Sequence, residues 1–596
     1  MNKQKKDSPN HLELLFDLDT EFNDLDEIKE KLRADLKYDF ILNPTKLNTK
    51  SGDKFNNKIE FGQFQTPLWI ADLISDLSIN NKSEKILEPC FGDGIFLRSI
   101  SSRVEKIFSS NKPEVFGVEL DFMQFILGCN QFLLAGNRKT QIHKHFFCGN
   151  VFEFDETGFD SIIFNPPYIR QEKLGSDGTF DKNEILSKIS KNLGELVFSL
   201  RSNLYLYFIV YLSSLLKEGG TIGAIIPKTW MDSEYGIKFQ EFLLSNFHIE
   251  YIIDFQQDVF TEPIVEDCII IIKKIKDNVK STKFIHFKKN NKMKNISDYL
   301  QKKKNVNNNS MQIQIIKRKT LEQDHKWGKF LISTNHTIEF FRNDKLIKLS
   351  SVAKLSRGIS TNWNEFFIIK KTELKNLKIE KQFLKPIITS PRKIIGYNTE
   401  MNGDYDYLLV IKKSLDEYNN SGFMKKYVKT RMNNNEKGDW YKINPKKGGS
   451  IFFSYIIRDK KNFIYNSDKI IVRDNFHNIR PYDEEPLILF SLLNSTFTKI
   501  NLELIGRRYG NGMLKIQVYE LADVMIPDVS LLTKKDRKDL MNVAKELSKC
   551  EFGNKKSQKL IKKIDLIVSK FYTDEYDENE IEKIEKKIIQ ERLARV

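Results

Sequence analysis

Four adjacent residues, Asn165-Pro166-Pro167-Tyr168, combine groups that rarely meet. The Asn amide offers a carbonyl acceptor beside an N–H donor. Each Pro has a backbone carbonyl, no N–H and a locked φ, and Tyr adds a flat π face. Such a set can hold a planar base by its exocyclic amino group. An adenine amino nitrogen is a poor nucleophile because its lone pair is delocalised into the ring. If Asn165 Oδ1 and the Pro166 carbonyl each accept one N–H, the nitrogen is drawn toward sp³ geometry and its lone pair faces an electrophile. Those contacts strengthen as positive charge builds, so they favour the transition state. Stacking of a base on Tyr168 is worth ~1–3 kcal/mol, comparable to the few kcal/mol needed to pull a base from its helix. This is the chemistry that methylation of an adenine amino nitrogen requires.

The tetrad closes an apolar run, Ser161-Ile162-Ile163-Phe164, which predicts a buried strand ending at the edge where open α/β sheets bind ligands. Upstream, the short strand Lys85-Ile86-Leu87 enters Glu88-Pro89-Cys90-Phe91-Gly92-Asp93-Gly94, and Ile95-Phe96-Leu97 reads as a helix start. Strand, Gly-rich turn and helix make a nucleotide-binding pattern. The third Gly of a dinucleotide fingerprint is missing and no Gly-Lys-Ser/Thr follows, so the ligand need not carry phosphates. Glu119 ends the strand Val115–Glu119, 25 residues past Gly94, near the ~20 expected for a carboxylate that holds ribose hydroxyls. Asn150, in Gly149-Asn150-Val151, is placed to read an adenine edge. Cys90 follows a Pro, but it lies in the Gly-rich turn and not at the tetrad, so a nucleophilic-cysteine chemistry is rejected.

In this order the motifs of residues 61–272 resemble the gamma-class, Taq-type adenine-N6 DNA methyltransferases, which carry a C-terminal target-recognition domain. The resemblance implies S-adenosylmethionine as cofactor, double-stranded DNA as substrate and flipping of the target adenine. It assigns the cofactor clamp to Phe61-Gly62-Gln63-Phe64-Gln65-Thr66-Pro67, with Thr66 and Pro67 at the ligand. Glu88, Pro89, Gly92, Gly94, Glu119, Asn150 and Asn165 complete the cofactor set, and Asn165, Pro166, Pro167 and Tyr168 form the catalytic set. In Asp254-Phe255-Gln256-Gln257-Asp258-Val259-Phe260, Phe260 matches the family's second aromatic on the flipped base. Asn203-Leu204-Tyr205 resembles an Asp-Leu-Tyr motif, and Gly219–Pro227 resembles the strand that follows the tetrad. Two positions depart from the family: Asn150 stands where many members have Asp, which removes charge assistance, and Asn203 replaces an acid.

The implied fold class is α/β: a Rossmann-like methyltransferase sheet, mostly parallel with one antiparallel strand, then a β-rich recognition domain and a helical C-terminal segment. The chain divides into a helical N-terminal extension (1–60), the catalytic domain (61–282), a Lys/Asn-rich connecting region (283–324), the recognition domain (325–530) and C-terminal helices (531–596). Asp24–Tyr38 carries Leu25, Ile28, Leu32 and Leu36 at helical spacing. Val352–Asn362, containing Arg357 and Asn362, resembles the start of the family's recognition domain. Leu492-Leu493-Asn494-Ser495 resembles its later helix, and Arg507–Ile516 its closing hairpin. Arg507, Arg508, Tyr509 and Asn511 suit groove or phosphate contact, as does Arg473, which forms a second polar loop with Asn475 and His477. Trp230 reads equally as packing or DNA contact. Glu578–Arg592 reads as a solvated helix or a dimer contact.

Composition agrees. The formal net charge of +16 suits a polyanionic partner. Five scattered cysteines show no metal spacing, so no metal is expected and a reducing cytoplasm fits. No apolar run approaches the ~20 residues of a membrane span. The expected partners are DNA and a separate cognate restriction endonuclease, with the chain a monomer or weak dimer. Related tetrads serve enzymes that methylate rRNA guanine or a glutamine amide, but these lack a large region like 325–530. A non-catalytic DNA-binding subunit would not need the intact tetrad.

Overall fold

Apolar residues on both faces of a strand require cover on both sides, and the strands around the tetrad have this character. In the computed structural model, β1 (Lys85–Glu88), β2 (Glu114–Glu119) and β4 (Phe159–Phe164) carry Ile86, Leu87, Val118, Ile162, Ile163 and Phe164, all wholly buried. The structure describes residues 66–168, 185–189, 203–255, 266–275, 281–288, 300, 305–308, 310–402, 405–418, 421–431, 439–458, 461–509 and 512–593. The helix read over Asp24–Tyr38, the Phe61–Gln65 part of the clamp, Phe260 and Asn511 lie outside the described residues.

The further strands are β3 (Phe146–Cys148), β5 (Leu216–Pro227), β6 (Phe247–Phe255), β7 (Asp267–Lys274), β8 (Ser281–Phe287), β9 (Val306–Asn307) and β10 (Met311–Lys317). They form a ten-stranded sheet in the order β3-β2-β1-β4-β5-β7-β6-β8-β10-β9. β1 pairs in parallel with β2 and β4, β4 with β5, and β6 with β8. β10 and β9 extend the sheet with antiparallel pairings, beyond the single antiparallel strand expected. The chain separates into two compact units, 1–225 with 271–275 and 226–270 with 276–596, and the division falls within β5 and β7.

Helices alternate with the first strands: α1 (Leu68–Ser78), α2 (Ile95–Ile107), α3 (Phe122–Leu134) and α4 (Lys139–His145). Asp121 caps α3 by accepting from the Gln124 N–H at 2.9 Å. α5 (Leu204–Leu215) is apolar around its whole circumference and is accordingly buried on nearly every side, Tyr205, Tyr207 and Phe208 included. α6 (Glu234–Asn246) follows β5. Trp230 is fully buried, with Phe239 and Trp327 edge-on at 5.1 and 5.6 Å, which settles it as packing.

The second unit holds short sheets broken by helices. Ala353–Arg357, Phe476–Pro481, Ile451–Ser454 and Ile464–Tyr465 form one four-stranded sheet in that order. Ile456–Ile457, Met513–Lys515 and Arg507–Tyr509 form a three-stranded one. Asn494 ends the helix Pro486–Leu493 and bonds both backbone groups of Phe463 at 3.1 Å, so the Leu-Leu-Asn-Ser motif is structural. The C-terminal region forms three helices, Lys534–Leu547, Lys555–Val568 and Glu578–Leu593. The last is not simply solvated: Ile581, Ile588, Glu591 and Arg592 are buried. No helix among the described residues is long and apolar enough to cross a membrane.

Candidate active site and nucleic-acid interface

The Gly-rich turn forms because β1 ends at a buried Glu88 and the chain must reverse tightly into α2. Gly92 and Gly94 have φ of +53° and +90°, backbone that side chains disfavour. A Cβ on Gly94 would lie 2.8 Å from the Gly128 Cα of α3, so this residue lets two helices close on each other. A Cβ on Gly92 would meet nothing within 4 Å; that side of the turn is open. Pro89 is buried beneath the turn.

Two carboxylates face this turn. Glu119, at the end of β2, accepts from the Gly92 N–H through Oε2 and from the Asp121 N–H through Oε1, both at 2.8 Å. Each oxygen retains a lone pair for a hydroxyl donor. Burial raises the Glu119 pKa above the ordinary carboxylate range, and the N–H groups of Asp121 and Gly92 oppose that rise. Glu88 is wholly buried. Its Oε1 accepts from the Cys90 N–H at 3.2 Å. Its Oε2 is buried with no hydrogen-bond partner among the described residues. Burial pushes this carboxyl well up, the Cys90 N–H pulls it back, and Glu119 and Asp93 add repulsion.

Asn165 stands at the end of β4. Its Nδ2 donates to Thr66 Oγ1 at 3.0 Å, and its backbone carbonyl accepts from the Cys90 thiol at 3.2 Å. Cys90 is thus a prop of the tetrad, and burial raises its thiol pKa, so it stays protonated. Pro166 is buried; Pro167 and Tyr168 are half-buried. The Tyr168 hydroxyl donates to the Ile225 carbonyl on β5 at 3.4 Å. Pro67 opens α1, its carbonyl accepting from the Ile70 and Ala71 N–H groups. Asn150 Oδ1 caps the short helix Val151–Glu153 by accepting from Phe152 N–H at 3.1 Å. The first unit therefore brings Thr66, Glu88, Gly92, Glu119 and Asn165 to one edge of the sheet. Cys90 is the neighbour whose part in it the spacing did not reveal.

In the second unit, Arg357 donates from Nε to the Asp474 carbonyl at 2.7 Å and lies 4.6 Å over the Tyr455 ring. Lys515 shares that ring at 5.0 Å. Arg507 donates from Nε to the buried Glu520 at 2.8 Å and lies 5.4 Å over Tyr519; Lys326 reaches the same carboxylate at 2.8 Å and the same ring at 5.8 Å. Four cations thus interleave with two tyrosines, Tyr455 buried and Tyr519 exposed, so of the two rings the second is the one open to stacking. Tyr455, Lys515, Tyr519 and Lys326 were not singled out in sequence, because they come from three separate segments. Arg508 and Tyr509 lie on the hairpin strand paired with Leu514 and Met513. Asn362 is exposed, with φ +56°. Arg473 pairs with Asp474 at 3.2 Å. His477 and Asn475 are structural: the first meets the Ile516 carbonyl at 2.7 Å while fully buried, and the second donates to Thr389 O at 2.8 Å.

Two family models match the chain. Residues 99–260 match the Eco57I restriction-modification methylase, and residues 324–568 match the C-terminal domain of the Type II methyltransferase M.Eco57I. The chain is 26% identical to the Type II methyltransferase M.AccI of Acinetobacter calcoaceticus over 541 residues, 87% of this chain and 94% of that one. Both models and this relative are restriction-modification methyltransferases, and the chain is similar to them in its methylase region and in its C-terminal domain. A shorter match, 28% identical over 222 residues, joins it to M.BstVI of Geobacillus stearothermophilus, covering 32% of this chain and 38% of that relative. Among solved structures, the type IIL restriction-modification enzyme MmeI in complex with DNA shares the fold at TM-score 0.51 and 11% identity, covering 90% of this chain and 75% of that chain.

These similarities make the chain an S-adenosylmethionine-dependent enzyme that methylates DNA at specific sites, in a restriction–modification context. The residues fit the cofactor. The buried Glu88 Oε2 needs an N–H or cationic donor, Glu119 can accept from hydroxyls, and the open side of Gly92 admits close approach to the backbone. When bound, the cofactor supplies an electrophilic methyl group on a sulfonium.

Proposed function

We propose that the enzyme methylates the exocyclic N6 of adenine in duplex DNA, with the target base turned out of the helix. Asn165 Oδ1 and the Pro166 carbonyl accept the two amino N–H groups and pyramidalise the nitrogen. The positive charge that develops there is held by these two fixed acceptors, and the surplus proton leaves to water afterwards. Tyr168 stacks on the extruded ring. Phe260 takes the opposite part by family resemblance alone. Thr66, Pro67, Glu88, Pro89, Gly92, Gly94, Glu119, Asn150 and Asn165 form the cofactor set, with Glu119 on ribose hydroxyls and Asn150 on the adenine edge. Arg357, Arg507 and Lys515 contact the duplex, joined by Asn362, Arg473, Arg508 and Tyr509 from the sequence pattern.

The observation that carries this reading is the Asn165 amide, tethered through Nδ2 to Thr66 at the sheet edge beside the Gly-rich turn. The tether supports a carbonyl oriented to accept from an amino group.

The test is transfer from labelled S-adenosylmethionine to unmethylated genomic DNA, read by nucleoside mass spectrometry and methylation-aware sequencing. N6-methyladenine at one short motif, lost in Asn165→Ala, is the expected result. Label in RNA or protein from the same lysate, with none in DNA, would overturn it.

A further inference from the structure

Arg592 lies at the end of the last helix, beyond the 324–568 span that matches the family's C-terminal domain, and is only 1% exposed. Burial of a guanidinium is costly unless its donors are met. Here four of them are engaged. Nε meets both oxygens of Glu503 at 3.0 and 3.2 Å, and Nη2 meets Glu503 Oε1 at 3.0 Å. Nη2 also donates to the Arg458 carbonyl at 2.6 Å, and Nη1 donates to the Gly512 carbonyl.

Those two carbonyls belong to different turns of the three-stranded sheet. Arg458 directly follows the strand Ile456–Ile457, and Gly512, with φ +63°, directly precedes Met513–Lys515. The strands pair antiparallel, Ile456 with Lys515 and Ile457 with Leu514, so both turns emerge at the same end. Met513–Lys515 in turn pairs with Arg507–Tyr509, the basic arm of the hairpin. Glu503, on the helix Thr496–Ile505, also accepts from Lys461 at 2.8 Å, three residues past Arg458. Burial would raise the Glu503 pKa, but Lys461, Arg592 and Arg508 together outweigh it and keep the carboxyl ionised. One planar fork therefore fixes two turns and one helix at once. A point-charge ammonium cannot reproduce that geometry. Buried ion pairs are poor sources of net stability, since apolar replacements are often neutral. The contacts are better explained by the placement they impose.

We infer that Arg592 is a positioning residue for DNA recognition: through Gly512 and Arg458 it sets the hairpin Arg507–Lys515, and so governs which sequence is methylated. This rests on the reading that the hairpin faces DNA.

The experiment uses the full chain as Arg592→Met, Arg592→Lys and the double variant Arg592→Met/Glu503→Gln, which leaves no buried carboxylate short of a partner. Folding is checked by thermal melting and by S-adenosylmethionine binding. Each variant is assayed on cognate DNA and on sites with one substituted base pair. In Arg592→Met, KM for cognate DNA rises at least tenfold, kcat at saturating DNA stays within about twofold, and discrimination against the substituted sites falls about tenfold. Arg592→Lys recovers only part of the discrimination. A folded single or double variant with unchanged KM and discrimination overturns the inference. Lys515→Ala and the charge reversal Lys515→Glu run alongside. If they weaken DNA binding while the Arg592 variants do not, the positioning role alone fails. If none of these variants alters DNA binding, the reading of the hairpin as a DNA contact fails.

Discussion

Asn165 Nδ2 donates to Thr66 Oγ1 at 3.0 Å, joining residues 99 positions apart at the end of β4 and the start of α1. An amide can present either end to a base, and a hydroxyl that takes the N–H end fixes which end remains for the substrate. Thr66→Val keeps the shape and removes the acceptor. Its kcat should fall roughly 10–100-fold, as expected when a reacting group loses alignment, with DNA affinity unchanged. Thr66→Ser should stay within about threefold. Single-turnover methylation at saturating DNA and cofactor reads this directly, and a Val variant at full rate would remove Thr66 from the mechanism.

Glu88 is wholly buried, its Oε1 bonded to the Cys90 N–H and its Oε2 without a hydrogen-bond partner among the described residues. A carboxylate so placed costs free energy in the free enzyme and recovers it only against a donor. Glu88→Gln should leave the melting temperature of the free protein unchanged or raised. S-adenosylmethionine binding should weaken about tenfold. Calorimetric titration and thermal shifts with and without cofactor separate the two effects. Equal affinity in the Gln variant would show that Glu88 serves folding instead.

Gly92 and Gly94 are two residues apart and should respond differently to Ala. At Gly94 the new methyl would press on Gly128 at 2.8 Å in backbone at φ +90°, so α2 must move. Stability and cofactor binding should both drop. At Gly92 the methyl meets nothing within 4 Å, and the cost is the left-handed backbone alone, about 1–2 kcal/mol. Its main effect should be on cofactor affinity. Urea unfolding beside cofactor titration distinguishes the pair; identical losses of stability would contradict the packing difference.

Legibility in sequence tracked how local each cause was. Glu119 and Asn165 could be read because each terminates an apolar strand, and strand ends in such sheets carry ligands. The Asn165–Thr66 bond could not, since it depends on how α1 meets the sheet. Met311–Lys317 lay in a region read as a connection, yet it is strand β10. Its Gln312 and Gln314 are buried, and Gln312 Nε2 donates to the Ser333 carbonyl at 3.0 Å. Composition alone cannot show a partner carbonyl 21 residues away. The same reason hid the Tyr455 and Tyr519 platforms: their cations arrive from separate strands and turns. The last helix looked solvated because its buried end, Arg592, is charged.

Asp565, on the helix Lys555–Val568, accepts from the Thr496 N–H at 2.7 Å and from the Thr496 hydroxyl at 2.6 Å. Burial still raises its pKa to about 6, above the ~3.9 of an unfolded chain. The folded state therefore binds more protons between these values. Stability contributed by the protonated carboxyl is present below about pH 4 and is lost as pH rises through about 6. Asp565→Asn lacks this titration. From pH 4.5 to 7.5 the wild type should lose stability relative to the Asn variant, by roughly 2 kcal/mol. Urea midpoints across that range test it; parallel curves for the two proteins would show that Asp565 does not titrate there.

Lys515 and Arg357 share the ring of Tyr455, at 5.0 and 4.6 Å, and Tyr455 is itself held by Gln517 Nε2, which donates to its hydroxyl at 3.0 Å. A cation poised on a fixed ring loses little freedom when it meets a phosphate. Each neutralised phosphate contributes about −0.9 to the slope of log affinity against log salt. Lys515→Ala should therefore weaken binding to cognate and unrelated duplexes by similar factors and make that slope shallower by about one. A residue that read a base would instead weaken the cognate site selectively and leave the slope nearly unchanged. Fluorescence anisotropy on both duplexes from 50 to 200 mM salt, on the order of the range where such losses are largest, decides between them. An unchanged slope with unchanged affinity would remove Lys515 from the interface and leave its ring contact as packing alone.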